Sequence, residues 1–205
     1  MHKIVKIYLL RHAKPNILAN TVPTKDCGII APSSRTISKL IEILPNNSSV
    51  IHSPLERASK TFSLLTRFGF SSNSFEVNSS FAEQNLGLLE GLSYEDAWKS
   101  LETLEEHNWA FFHAEYVPPD GESFVQLVQR VTQSLQRILE TSDSRPIIII
   151  AHSGVIRSIV GYALDLDPNI MLSLRLDHLS LSCIEYKKEN KLGGQYQICF
   201  LNRSF

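Results

Sequence analysis

Ile147-Ile148-Ile149-Ile150-Ala151-His152-Ser153-Gly154 is a run of apolar, mostly β-branched residues that stops on a histidine. A continuous run of this kind predicts a strand buried on both faces, as in a parallel sheet, rather than a strand with one wet face. Near the other end of the chain, Ile7-Tyr8-Leu9-Leu10-Arg11-His12-Ala13 repeats the arrangement: a second buried strand that delivers an arginine and a histidine at its carboxyl end. Ligands of open α/β sheets bind at that rim, so these residues predict a site for an anion.

Outward from His152, Val155, Ile156, Ile159, Val160, Ala163 and Leu164 recur at helical spacing and end in the Asp-rich turn before Pro168. Upstream, Ser123 with Gln126 three residues on is a capping box, and Phe124, Leu127, Val128, Val131, Leu135, Ile138 and Leu139 form the stripe of a helix that leads into the His152 strand. Ile37, Leu40, Ile41 and Leu44 mark a short helix closed by Pro45, and residues 48–52 predict a strand. A helix follows it at once, with Leu55, Ala58, Phe62 and Leu65 on one face and Gly69 as terminator. A short strand is expected at 75–77 and a helix over 93–113, while segments 179–186 and 196–201 flank Gly193-Gly194 as a hairpin. Strands alternating with helices predict a single α/β domain over residues 1–205, a three-layer α/β/α sandwich with a mostly parallel central sheet. The irregular stretch 13–35 is long enough to suggest a segment that covers a site.

Composition narrows the function. At 205 residues the chain can bury a core without staples, and a formal charge of −1 gives it no general field for nucleic acid or anionic lipid. Any anion must be held by a local cluster. Cys27, Cys183 and Cys199 are odd in number and unpatterned, which argues against a disulfide framework or a zinc site and fits a reducing compartment. The start, Met1-His2-Lys3, is followed by too short an apolar run for a secretory signal, and no run approaches the roughly 20 residues needed to span a bilayer. A soluble cytoplasmic protein without membrane or nucleic-acid partners is expected, and a homodimer is compatible with the sequence.

Arg11-His12, Ser53-Pro54-Leu55-Glu56-Arg57-Ala58, Glu83 with Gly87 and Glu90-Gly91, Gly121-Glu122-Ser123 and Ala151-His152-Ser153-Gly154 follow one another in an order that resembles the histidine phosphatase superfamily, the phosphoglycerate mutase-like enzymes. The resemblance runs from residue 4 to about residue 201. It implies a phosphoglycerate mutase-like fold and a phosphatase in which His12 attacks phosphorus to form a phosphohistidine that water hydrolyses. His12 must present a neutral ring nitrogen, which requires its other nitrogen to act as a donor. Arg11 and Arg57 would supply planar donors to the phosphoryl oxygens, and His152, protonated by the dianion beside it, another, with Ser153 close by. Positioning and charge stabilisation carry most of such a transfer, so neither metal nor cofactor is implied. Glu83 would protonate the leaving alkoxide, with Glu90 a weaker candidate. Glu122 and Ser123 match the family's Gly-Glu-Ser element, although Ser123 is equally a helix cap.

The sequence also departs from the family. Ala13, Lys14 and Pro15 stand where many relatives have Gly, a polar residue and Ser or Thr, and Leu18 stands where they have Asn, so Asn16 is the candidate to reach phosphate instead. His52 replaces a small hydroxyl residue, and residues 20–35 lack the mutases' substrate-facing pattern. The expected substrate is a small phosphorylated metabolite, in the style of the α-ribazole phosphatases. A cofactor-dependent phosphoglycerate mutase is the alternative, disfavoured by the short and acidic stretch around Glu102, Glu105, Glu106 and Glu115. A non-catalytic phosphate-binding module is the second alternative, disfavoured because both nucleophile and acid are present.

Overall fold

The computed structural model describes residues 4–25, 27–99, 101, 107–189 and 191–205. Its centre is a six-stranded sheet in the order β3-β2-β4-β1-β5-β6, built from β1 (Ile4–Arg11), β2 (Ser49–His52), β3 (Ser74–Val77), β4 (Ile147–Ala151), β5 (Leu181–Lys187) and β6 (Tyr196–Arg203). The pairings among β3, β2, β4 and β1 are parallel. β5 and β6 form the hairpin around Gly193-Gly194 and join β1 antiparallel, so the sheet is mixed.

Alternation along the central strands feeds two cores. Val5, Ile7, Leu9, Ile147 and Ile149 pack on α4 (Phe124–Thr141), α5 (Ser153–Ala163) and α6 (Pro168–Leu172). The alternate residues Leu10, Ile148 and Ile150 pack on α1 (Ser34–Ile41) and α2 (Glu56–Arg67) on the other face. These are the three expected layers, and the complete burial of β4 follows from its position inside the sheet with helices above and below. Each wholly buried isoleucine of β4 contributes roughly 1.5–3 kcal/mol relative to exposure. The capping box at Ser123 forms as expected, with both the Ser123 and Gln126 side chains engaged.

Of the expected helix over 93–113, the described residues contain one short helix, α3 (Tyr94–Lys99); residues 100 and 102–106 lie outside the described residues, and with them Glu102, Glu105 and Glu106. Beyond them the chain runs in bends and turns, because its aromatics cluster on one another instead of following one helical face. Phe111 packs between Trp98 and Phe112, and Phe112 meets Tyr116. With Val22, Leu89, Ala97 and Leu101, the rings of Phe111, Phe112 and Tyr116 form a third, smaller cluster. Among its described residues the stretch 13–35 has no helix or named strand before α1, yet it is tied down: Ile30 N–H donates to Lys14 O, Val22 N–H to Leu92 O and Gly91 N–H to Val22 O. Among the described residues no helix is long and apolar enough to cross a membrane.

Candidate active site

The strand register brings the two histidine motifs together. Arg11 pairs with Ala151, His12 N–H donates to Ala151 O at 2.9 Å, and Ser53 N–H donates to Ile150 O at 3.0 Å. The carboxyl ends of β1, β2 and β4 therefore place His12, Ser53 and His152 side by side, with Arg57 in the first turn of the helix after β2. A cavity of about 660 Å³ opens over this rim. Its wall includes Arg11, His12, Arg57, Glu83, Glu90, Glu122, Arg130, Ser153, Arg157 and His178, with an apolar side formed by Val22, Leu86, Tyr94, Trp109, Phe111, Phe112 and Leu172.

His12 is 4% exposed, and its Nδ1 lies 2.6 Å from Ala13 O. A carbonyl can only accept, so Nδ1 carries the proton and Nε2 keeps its lone pair. Burial is the main reason that the His12 pKa falls well below its ordinary value; His152, Arg57 and Arg11 push the same way, and the Ala13 carbonyl pushes back. A neutral imidazole with an unprotonated Nε2 is the state that a nucleophile requires.

His152 lies behind that ring, with centroids 4.9 Å apart, and is wholly buried rather than part of the cavity wall. Arg57 Nε–H donates to its Nδ1 at 3.2 Å, so the proton sits on Nε2 and is donated to Ser53 Oγ at 2.6 Å. Burial first, then Arg57, Arg11 and Arg130, hold its pKa well below the usual histidine value. The structure thus has a neutral His152 where the resemblance implies a protonated one beside a bound dianion. Arg57 Nη1 reaches Thr24 O, Lys25 O and Cys27 Sγ, and Arg11 donates from Nη1 to Leu176 O while its buried Nε has no partner among the described residues.

Glu83 sits at the start of α5. Its Oε2 accepts from Ser153 Oγ and from Gly154 N–H, both at 3.2 Å, and its Oε1 from Gln84 N–H at 3.1 Å. A helix N-terminus offers unpaired amides and positive potential to such a carboxylate. Arg130 reinforces the position from α4, donating to Ser80 O and Glu83 O while forking onto both Glu122 oxygens at 2.6 and 3.0 Å.

Two other sequence candidates lie elsewhere. Asn16 is exposed on the loop, bonded through its backbone N–H to Gly28 O, and is not part of the cavity wall. His52 turns its ring onto Phe62 and its Nδ1 towards Ser53 O, ending the strand. Glu90 does line the cavity, and Ser123 serves as the α4 cap. Sequence reasoning missed Arg130, Arg157 and His178. The signal for Arg157 was a cation interrupting the apolar run of α5 one turn beyond Ser153. His178 lies on the segment between α6 and β5, its ring 5.3 Å from that of His12; burial and then Arg11 lower its pKa to about 4.

An α/β sheet with two histidines and a set of guanidiniums at its carboxyl rim defines an anion-handling class of site. The model of the histidine phosphatase superfamily (branch 1) matches residues 7–194, and the chain belongs to that superfamily. It is similar to the "Bifunctional protein Rv2228c" of Mycobacterium tuberculosis, 28% identical over 139 residues that make up 68% of this chain and 37% of that one. It is also similar to the metal-independent phosphoserine phosphatase of Arabidopsis thaliana, 31% identical over 114 residues, 54% of this chain and 46% of that one. The chain thus spans less than half the length of either relative. The solved structure of mycobacterial glucosyl-3-phosphoglycerate phosphatase has the same fold, with a TM-score of 0.75 at 18% identity over 98% of this chain and 100% of that one.

Proposed function

We propose that this chain is a metal-independent phosphomonoesterase that hydrolyses a small phosphorylated metabolite through a phosphohistidine on His12. The observation that carries the reading is the Nδ1 bond to Ala13 O, which leaves the His12 Nε2 lone pair for attack on phosphorus. The P–O bond to the substrate alcohol breaks as the N–P bond forms, and Glu83, carrying a proton, delivers it to the departing alkoxide. Water then attacks the phosphohistidine, with Glu83 taking its proton, and His12 returns to its starting state.

Arg11 and Arg57 stabilise the equatorial oxygens with fixed donors that cost little reorganisation. His152 gives its Nε2–H to a phosphoryl oxygen in exchange for Ser53, and the arriving dianion offsets the guanidinium charges that, after burial, keep the ring neutral. The phosphatases among the similar proteins support this reading.

Turnover of p-nitrophenyl phosphate in EDTA, measured beside His12→Ala, tests it. The wild type is expected to turn over and the variant to lose about 10⁴-fold or more, as when a covalent nucleophile is removed. Equal rates for the two, or a wild type active only with added divalent metal, would overturn the proposal.

A further inference from the structure

Arg157 has no role in the reaction described so far. It projects from α5 into the cavity wall, one turn beyond Ser153, and its Nε–H donates to Leu174 O at 2.9 Å. Its two Nη groups have no hydrogen-bond partner and the side chain forms no ion pair among the described residues. Arg130 differs, because the Glu122 carboxylate neutralises it. A guanidinium left half-buried without a counter-charge costs free energy unless something in the cavity answers it.

Its placement puts it on the Glu83 side of the cavity. Arg157 stands on α5 about one turn beyond Ser153 and Gly154, which donate to the Glu83 carboxylate, whereas Arg57 donates to His152 Nδ1. With Glu83 as the proton donor, a reading on which this inference rests, the Glu83 side of the cavity is the side where the leaving group lies. The Leu174 carbonyl fixes the Nε edge, which leaves the flat Nη1/Nη2 edge for a planar anion with two oxygens.

We propose that Arg157 forms a second anion subsite that takes a carboxylate on the leaving group, so that the preferred substrates are phosphomonoesters of small hydroxy acids. The carboxylate answers the unpaired Arg157 charge, and the phosphoryl dianion answers Arg11 and Arg57. Arg157 is then a specificity-determining residue.

The test compares kcat/KM for two substrate pairs that differ in a carboxylate: O-phosphoserine against phosphoethanolamine, and 3-phosphoglycerate against glycerol 3-phosphate. The wild type is expected to favour the acid member by on the order of 10-fold or more, the effect of one well-placed charged hydrogen bond. Arg157→Met should bring that ratio near unity, and Arg157→Lys should leave it intermediate. A ratio unchanged in Arg157→Met, with both members of each pair falling together, overturns the subsite and returns Arg157 to the phosphoryl group or the fold. Loss of p-nitrophenyl phosphate turnover by the wild type counts against the phosphatase reading alone. In that case the same ratio is read from the Kd values of the paired ligands by calorimetry, with thermal unfolding to confirm that each variant is folded.

Discussion

The Glu83 carboxylate lies against the first turn of α5, its Oε2 3.2 Å from the Gly154 amide nitrogen. That contact exists because residue 154 has no side chain. A Cβ there would run into Glu83 Oε1 and come within 2.7 Å of Leu127 Cδ2. Gly154→Ala is therefore expected to displace the carboxylate and lower kcat by on the order of 10²-fold, the penalty of a misplacement near 1 Å. Steady-state kinetics beside a thermal melt check it, and a fully active, fully stable variant would show that Glu83 can move without consequence.

Glu83→Gln keeps the size and removes the transferable proton. Hydrolysis of alkyl phosphates, whose alkoxides leave poorly, should fall by about 10²–10⁴-fold, the usual range for a positioned acid. Hydrolysis of p-nitrophenyl phosphate, whose phenolate leaves without help, should fall much less. Equal losses on the two substrate types would contradict the assignment of Glu83 as the proton donor.

Arg130 holds the segment around Glu83 through Ser80 O, Glu83 O and the Glu122 fork. Arg130→Met leaves the partly buried Glu122 charge unpaired and releases the segment, so a stability loss of roughly 1–3 kcal/mol is expected with a fall in kcat. Chemical denaturation measures the first effect. A double variant, Arg130→Met with Glu122→Gln, should recover stability and leave the kinetic defect.

His12 and His152 both have pKa values held well below the ordinary imidazole value, with burial as the leading cause in each. The unfolded chain takes up protons near pH 6.5 that these folded rings refuse, so their contribution to stability is complete above that pH and is lost as pH falls through it. Each ring can contribute a slope of up to about 1.4 kcal/mol per pH unit. The melting temperature of the ligand-free protein should accordingly drop between pH 7 and pH 5, and less steeply in His12→Ala. A melting temperature that is flat over this range, or that rises towards acid, would show that the rings titrate normally.

Much of the scaffold was legible along the chain. The isoleucines of β4, the alternation in β1 and the capping box of α4 are local patterns, and local patterns encode elements because backbone geometry repeats every two or 3.6 residues. The motifs at Arg11-His12, Arg57 and His152-Ser153 were legible for a related reason: each sits at the end of a strand or at a helix start. The short α6 and the turns over 107–116 were not, since no single face is apolar there and contacts from other segments hold them, such as Asn169 Oδ1 accepting from Ala114 N–H.

The amino-acid sequence by itself determined which strands are buried, where they stop, and that a histidine stands at each of two stops, with an arginine beside the first. Tertiary structure alone decided how those groups are used. Packing of α5 against the segment before β5 put Arg157 and His178 into the cavity wall, although neither belongs to a motif. Asn16 stayed out on an exposed loop, and the bonds from Arg57 and to Ser53 fixed the tautomer of His152. The physical reason is one of range: periodicity and capping act over a few neighbouring residues, whereas a cavity wall, a hydrogen-bond partner and a depressed pKa depend on segments brought together from across the chain.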